Sequence, residues 1–225
     1  MRRIRNREHD IYDFQDAVWT AVLGVDRTYE REEYVGHQIV WQCCESLLAH
    51  PRSLSEDHRE WLQYRTSLSK VYCGLKRILR VSSAFSQKSE YQHAKKLFLQ
   101  AQQSCESFVR KRAPDHNHRE GCEVLSLILW AQVNLSFIDY HLESDKRKAI
   151  RALDCKLEEF RPLLSQHPEL ESPFYFGLFN KATLEFVCDR PHLAALREIL
   201  YASPGDPALH NLVERTKELL KEANA

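Results

Sequence analysis

The chain has 225 residues, 43% of them hydrophobic and 10% aromatic, which is enough to bury a core in one domain and excludes disorder. Its 32 basic residues balance 32 acidic residues, so no net field attracts nucleic acid, an anionic membrane or a polyanionic substrate. Only 6 glycines and 8 prolines interrupt it, against average usages of about 7% and 5%, and such long uninterrupted stretches favour helices over sheets.

Apolar residues recur at spacings of three and four between start and stop signals, and this pattern predicts eight or nine helices. The first helix ends at Gly24 and the second before Pro51. The third follows Ser53, whose spacing to Glu56 fits a capping box. The predicted ranges are about 8–23, 29–49, 55–81, 88–112, 117–142, 145–164, 172–188, 191–202 and 207–223.

The later helices are equally well marked. Pro114 bounds the fourth, and the fifth, which starts near Asn117, is apolar around most of its circumference, so we expect it to be central. The last helix has one apolar and one polar face, as a terminal capping helix does. We therefore predict a single all-α domain over 1–225, whose best candidates for an internal boundary are the loops near 83–88 and 113–118.

Between residues 176 and 207, small and large apolar residues are spaced so that two successive helices can cross closely, and a proline closes the unit. Looser matches begin at Ile78 and at Trp130. The three units therefore start about 52 and then about 46 residues apart, whereas the tetratricopeptide period is about 34 residues. All three lack the tryptophan-leucine-glycine core of the repeat signature. With the helix that follows it to residue 223, the best unit resembles a tetratricopeptide repeat. Its residues in the pattern are Phe179, Ala182, Thr183, Phe186, Ala195, Ile199, Ala202 and Pro207.

This resemblance implies antiparallel helix pairs stacked as a right-handed superhelix; an irregular up-and-down helical bundle is the alternative. It also implies a protein-protein interaction module, an adaptor, scaffold or regulator that binds a peptide or protein segment in a groove lined by the first helix of each pair. Such a module needs no cofactor. The positions that the resemblance nominates for the groove are Asn134, Tyr140, Asn180 and Lys181.

Two patterns contain residue types that can carry out chemistry. His118 and Cys122, four residues apart, are weak candidates for a metal site, but no second ligand pair accompanies them, so we predict no metal. The pairs Arg52/His58 and Arg112/His118 have the spacing seen in helical ribonucleases of the HEPN type, where histidine does acid-base work and arginine holds a phosphate. Since no P-loop, GxGxxG, GxSxG or HExxH motif occurs, we predict a binding protein rather than an enzyme, with the ribonuclease as the alternative.

A structural subunit of a complex is the third hypothesis, with Trp19 and Trp41 as interface anchors. The expected partner is a protein or peptide, not a nucleic acid or a membrane, and self-association stays open.

The seven cysteines are odd in number, scattered and without a CxxC pair, which is typical of buried free thiols in a reducing compartment. No apolar run approaches the roughly 18 residues of a membrane span, and the amino terminus is charged. We therefore expect a soluble, cytoplasmic protein.

Overall fold

The computed structural model describes residues 30–49, 56–79, 84–111, 119–143, 145–188, 193–202 and 209–223. These residues form eight α-helices and two short 3-10 helices, with no strand among them, which confirms the all-α prediction. The predicted helix over 8–23 lies outside the described residues. The helices are α1 (Glu30–Leu48), α2 (Glu56–Leu79), α3 (Ala84–Lys111), α4 (Arg119–Leu142), α5 (Lys146–Phe160), α6 (Glu171–Val187), α7 (Leu193–Ala202) and α8 (His210–Ala223).

The ends of α5 show how local chemistry sets the helix bounds. Asp145 precedes the helix, and its carboxylate accepts a hydrogen bond from the backbone N–H of Lys148 at 3.1 Å, which satisfies one of the unpaired donors of the first turn. The helix ends at Phe160 because Pro162 has no N–H to continue the ladder, and the chain tightens into a 3-10 turn over Arg161–Leu163. A second 3-10 turn, Pro168–Leu170, leads into α6.

α4 lies at the centre of the fold, as its apolar circumference predicts. It packs against α2, α3, α5 and α6, and the 3-10 turn at Pro168–Leu170 also rests on it. A helix surrounded in this way has little solvent-facing surface, so apolar residues are favoured on almost every side. Its buried apolar residues include Val124, Leu127, Ile128, Leu129, Ala131, Val133, Leu135 and Ile138.

The helices pack in an alternating pattern. Each one packs against its neighbours in the chain; in addition α2 packs on α4, α4 on α6, and α6 on α8. We call these four helices the even layer, and α3, α5 and α7, which pack against it, the odd layer. α1 packs against α2 at one end of the stack.

Glycines allow the two layers to approach closely at two crossings. A Cβ atom on Gly74 of α2 would lie 2.8 Å from Cζ of Phe98 on α3. One on Gly177 of α6 would lie 2.7 Å from Cδ2 of Leu157 on α5 and 2.9 Å from Cγ2 of Val133 on α4. Real side chains do not approach so closely, so only glycine fits at both positions.

One core runs through most of the described chain, from Val71 on α2 to Leu212 on α8. It contains buried residues on both sides of the loops near 83–88 and 113–118, and residues 84 to 88 lie within α3. A second, small cluster joins α1 to the start of α2 through Val40, Cys44 and Leu62. Among the described helices, none combines the length and the apolar character that crossing a membrane requires.

Candidate functional site

A cleft of about 310 Å³ opens between α2 and α4, in the even layer. Its volume is at the low end of the roughly 300 to 1,000 Å³ typical of ligand sites, which suits one or two side chains of a partner. The lining combines aliphatic, aromatic and acidic side chains. It consists of Tyr64, Leu68, Val71, Tyr72, Leu75, Glu123, Ser126, Leu127, Trp130 and Glu169.

Helical periodicity brings these residues to one place. On α2, Tyr64, Leu68, Val71 and Leu75 follow one another at spacings of three and four, so they form a single stripe along the helix. Tyr72 stands beside this stripe with 40% of its surface exposed.

α4 presents a second stripe with the same spacing, made by Glu123, Ser126, Leu127 and Trp130. Glu169 joins the cleft from the 3-10 turn that rests on α4. The cleft therefore lies between two parallel rows of side chains from helices that are far apart in the chain.

A hydrogen bond ties the two stripes together. The hydroxyl of Tyr64 donates to Oε2 of Glu123 at 2.8 Å. Burial raises the pKa of Tyr64 well above its usual range, and the hydrogen bond to Glu123 and the negative charge of that carboxylate raise it further. Tyr64 is thus a neutral donor at every physiological pH, and Glu123 accepts without taking its proton.

Arg65 lies next to the cleft without lining it. Its guanidinium carbon is 5.7 Å from the centre of the Tyr64 ring and 5.4 Å from that of Trp61, which are cation–π distances. Only 9% of Arg65 is exposed, and burial lowers its pKa from the usual value. The Arg65 side chain stabilises the position of the Tyr64 ring from outside the cleft.

Aromatic contacts continue the cleft from α4 towards α6. The rings of Trp130 and Phe176 lie 5.3 Å apart between centroids. Asn134 follows Trp130 by one turn, and its Nδ2 donates to the Trp130 carbonyl oxygen at 2.8 Å. Asn180 follows Phe176 by the same four residues on α6. Both nominated asparagines therefore follow an aromatic residue of the even layer by one helical turn.

The other two nominated residues make contacts away from the cleft. Tyr140 is buried, and its hydroxyl lies 3.4 Å from Sγ of Cys188, at the end of α6. Burial raises the pKa of Tyr140 to about 12, with a further rise from Cys188. Lys181 forms an ion pair with Asp154, which joins α6 to α5. None of the four nominated residues lines the cleft, and their role in binding stays a prediction.

The residues proposed for metal or nuclease chemistry fall largely outside the described part of the chain. Arg52, Arg112 and His118 lie outside it, and Cys122 and His58 belong to α4 and α2 without described side chains. Within the described ranges, no three histidine, cysteine or acidic side chains converge as metal ligands do. The ribonuclease alternative stays a prediction without a described site.

Helical periodicity assigns Tyr64, Leu68 and Trp130 to the apolar faces of their helices, but it does not identify them as the walls of a cleft. The available signal was Glu123, a carboxylate on the stripe of α4 that continues with Leu127 and Trp130. A charged residue on an otherwise apolar face needs a partner, and here the hydroxyl of Tyr64 is one.

No protein-family model, curated protein or solved structure matches this chain.

Proposed function

We propose that this protein is a peptide-binding interaction module whose even layer carries the binding groove, with the cleft between α2 and α4 as its anchor pocket. The observation that carries this proposal is the cleft itself, an open, largely apolar depression with three aromatic side chains in its lining. Concave apolar sites with a few polar groups are the usual form of binding sites in proteins.

The packing order supports a repeat-like stack. In stacked helical repeats each helix contacts its chain neighbours and the equivalent helix of the next pair, which is the order found for α2, α4, α6 and α8. In a tetratricopeptide-like right-handed superhelix these four would be the first helices of the pairs and would line the groove. This assignment extends the resemblance seen over residues 176 to 223.

The nature of the lining supports a peptide partner. Tyr64, Tyr72 and Trp130 offer large surfaces with few rotatable bonds, and aromatic residues are the ones that most often anchor protein interfaces. A volume near 310 Å³ accommodates one or two side chains rather than a whole folded surface. Further along, the side-chain amide of Asn180 is a donor and acceptor of the kind that pairs with a peptide backbone, whereas Asn134 is buried and donates to the Trp130 carbonyl oxygen.

We propose that the protein acts as an adaptor, scaffold or regulator and not as an enzyme, in a reducing cytoplasmic compartment. The cysteines support the compartment: those of the described residues are free thiols, and Cys44, Cys73 and Cys105 are buried in the cores.

Selection from a phage-displayed peptide library tests the proposal. The purified full chain is the bait, and enriched peptides are resynthesised and measured by fluorescence anisotropy. Tyr72→Ala removes an exposed cleft residue, and Ser126→Phe fills the cleft. The matched control is Tyr201→Ala, because Tyr201 is an exposed tyrosine of α7, in the odd layer.

We expect Tyr72→Ala to raise the Kd at least about fivefold, which corresponds to about 1 kcal/mol of binding free energy. Ser126→Phe should abolish binding, and Tyr201→Ala should leave it unchanged. Circular dichroism checks that each variant is folded. If no peptide is enriched, or if the enriched peptides bind all three variants as they bind the wild type, the cleft is not a binding site.

A further inference from the structure

The charged residues of α5 are segregated along the helix. Four of its five basic residues lie in the first two turns, whereas its acidic residues, Asp154, Glu158 and Glu159, all lie in the second half. The helix dipole favours the reverse order, with acidic side chains near the amino end and basic ones near the carboxyl end. Arg147 and Arg151, four residues apart, also repel each other. This order of charges does not stabilise the helix.

Three of the basic side chains in the first two turns are exposed and have no acidic partner. In the part of the chain that the structure describes, no carboxylate lies within ion-pair distance of Arg147, Lys148 or Arg151. The fourth, Lys146, lies over the ring of Tyr140, 4.4 Å from its centre. We call Arg147, Lys148 and Arg151 the basic patch.

The carboxylates of α5 and of its cap are engaged by other groups. The ion pairs are Asp154–Lys181, Glu158–Arg161 and Glu159–Lys156, and the carboxylate of Asp145 accepts from the backbone N–H of Lys148. The acidic residues closest in the chain therefore leave the charge of the basic patch uncompensated.

The three side chains are close enough to meet one anionic group. Arg147 and Arg151 are four residues apart and Lys148 precedes Arg151 by three, and the Cβ atoms of helix residues at these spacings lie about 5–6 Å apart. A guanidinium binds a phosphate through two parallel hydrogen bonds, and an ammonium adds a point charge. A phosphoryl group has nearly two negative charges and three acceptor oxygens in one place, which matches this set of donors.

The surroundings of the patch favour a compact anion over an extended one. Glu158 follows Arg151 by two helical turns, so it lies on the same side of α5. The side chains of Glu158 and Glu159 are 58% and 59% exposed. A nucleic acid strand or an anionic membrane over the patch would also face these carboxylates and be repelled, whereas a single phosphorylated side chain would not.

We propose that the basic patch binds a phosphorylated serine or threonine of a partner protein, with Arg147 and Arg151 donating to the phosphate oxygens and Lys148 adding a third cation. None of these residues lines the cleft between α2 and α4. The patch is therefore a second binding surface, and it does not depend on the function proposed for the cleft.

A titration of the full chain, followed by nuclear magnetic resonance, tests this proposal. The probe is a short glycine-alanine peptide with a central phosphoserine, and the comparison peptides have serine or glutamate in its place. We expect the amide signals of residues 146 to 152 to shift saturably with the phosphopeptide. The Kd should be at least about tenfold higher for the serine peptide and intermediate for the glutamate peptide, which has one charge instead of nearly two.

Removal of the patch should remove the binding. The triple variant Arg147→Gln/Lys148→Gln/Arg151→Gln should bind the phosphopeptide at least about tenfold more weakly than the wild type. It should unfold at the same temperature or a higher one, because it relieves repulsion within α5. A lower unfolding temperature would show that the patch stabilises the fold, and it would contradict the reasoning from charge order.

A matched control separates the patch from the overall charge. Lys96→Gln/Arg197→Gln/Lys221→Gln removes three exposed cations from α3, α7 and α8. This variant should bind the phosphopeptide as the wild type does. An equal loss of affinity in both triple variants would mean that the attraction belongs to the whole molecule and would overturn the proposal.

Two further results would overturn it. One is the absence of saturable shifts at millimolar phosphopeptide. The other is tighter binding, dependent on the same three residues, of an oligouridylate or of vesicles of phosphatidylcholine and phosphatidylserine, which would assign the patch to nucleic acid or to membrane. Each of these results leaves the function of the cleft untouched.

Discussion

Gly74 lies at a close approach of α2 and α3, where a side chain would collide with the Phe98 ring. A methyl group there would meet Cζ of Phe98 at 2.8 Å and Cε2 at 2.9 Å, and Phe98 is fully buried. Alanine would gain about 1 kcal/mol in helix propensity, but overpacking costs about 1–3 kcal/mol. We expect Gly74→Ala to lower the free energy of unfolding by up to about 2 kcal/mol in urea titrations.

A second substitution shows whether the Phe98 ring is the cause. Phe98→Leu alone removes buried contacts and destabilises the protein. In the Gly74→Ala background the smaller side chain also relieves the clash, so the same substitution should cost at least about 0.5 kcal/mol less than in the wild type. Strictly additive losses in the double-mutant cycle would contradict the proposed contact.

Buried thiols make stability fall in alkaline solution. Burial raises the pKa of Cys105 to about 11 and that of Cys44 to about 11. A thiol in the unfolded chain loses its proton from about pH 8.5. The stability that a buried, protonated thiol contributes is therefore complete below that pH, and it is lost as the pH rises through the pKa of the thiol in the folded protein. Each thiol should remove on the order of 2 kcal/mol from the free energy of unfolding by pH 11.

Urea titrations with a reductant, from pH 8 to 11, measure this slope. Above about pH 10 Tyr64 should add to it, because its pKa is also raised by burial. Cys105→Ala is expected to show a shallower slope than the wild type, and Cys155→Ala, which removes an exposed thiol, an unchanged one. Equal slopes for both variants would show that the buried thiol is not responsible.

At the scale of elements, an ion pair that spans two helices joins α1 to α2. Nζ of Lys70 lies 2.6 Å from Oε1 of Glu45, and Nε1 of Trp41 donates to the other carboxylate oxygen at 2.7 Å. The side chain of Lys70 is only 8% exposed, and its ammonium lies 5.6 Å from the centre of the Trp41 ring. Burying this cation is expensive unless the carboxylate accompanies it.

The two partners are therefore not equivalent. Glu45→Gln leaves a buried ammonium beside a neutral amide, so we expect it to lower the free energy of unfolding by about 1–2 kcal/mol. Lys70→Met removes the charge but keeps a long apolar side chain against Trp41, and its cost should be smaller. Thermal or urea unfolding of both variants and of their combination measures the difference. A larger loss for Lys70→Met would contradict this ranking.

The elements were predictable where caps and prolines mark them. The bounds of α4, α6 and α8 agree with the predicted ranges within three residues at each end. α3 begins at Ala84 rather than near residue 88, because nothing between these positions breaks a helix and a started helix extends cooperatively. α5 ends at Phe160, four residues before the predicted end, because the Pro162 region adopts a 3-10 turn.

The cleft was not predictable in the same way. Tyr64 and Glu123 are 59 residues apart, and their contact depends on how α3 sets the distance between α2 and α4. Periodicity assigns a residue to a face of its own helix, but it carries no information about which face of a distant helix lies opposite. That choice is made by tertiary packing, as at the Gly74 crossing.

At the scale of the molecule, the difference between the main core and the small cluster at α1 predicts unequal stability along the chain. The main core links α2 through α8, whereas the described contacts of α1 include only a small cluster of Val40, Cys44 and Leu62, the stacked rings of His37 and Tyr72, and the Lys70–Glu45 pair. An element with few buried contacts opens without the rest of the protein. We expect amides of α1 to exchange with solvent through local opening, and those of α4 only through global unfolding.

Hydrogen exchange with mass spectrometry measures this difference over Glu30–Leu48 and Arg119–Leu142. The protection free energy of α1 should be lower than that of α4 by at least about 2 kcal/mol. Glu45→Gln should lower the protection free energy of α1 further. In α4 the protection free energy should stay equal to the free energy of global unfolding. Equal protection in both helices would mean that the described chain opens as a single unit.

Because successive helices alternate between the two layers, the number of helices before a given helix decides which layer it joins. Every second helix belongs to the even layer, which carries the cleft, and each connection moves the chain from one layer to the other. Adding or removing two helices keeps every downstream helix in its layer and only lengthens or shortens the stack. Adding or removing one helix would place every later helix in the opposite layer. The apolar face of each such helix would then not match the helices it packs against. We therefore expect this fold to tolerate the gain or loss of helices in pairs rather than singly.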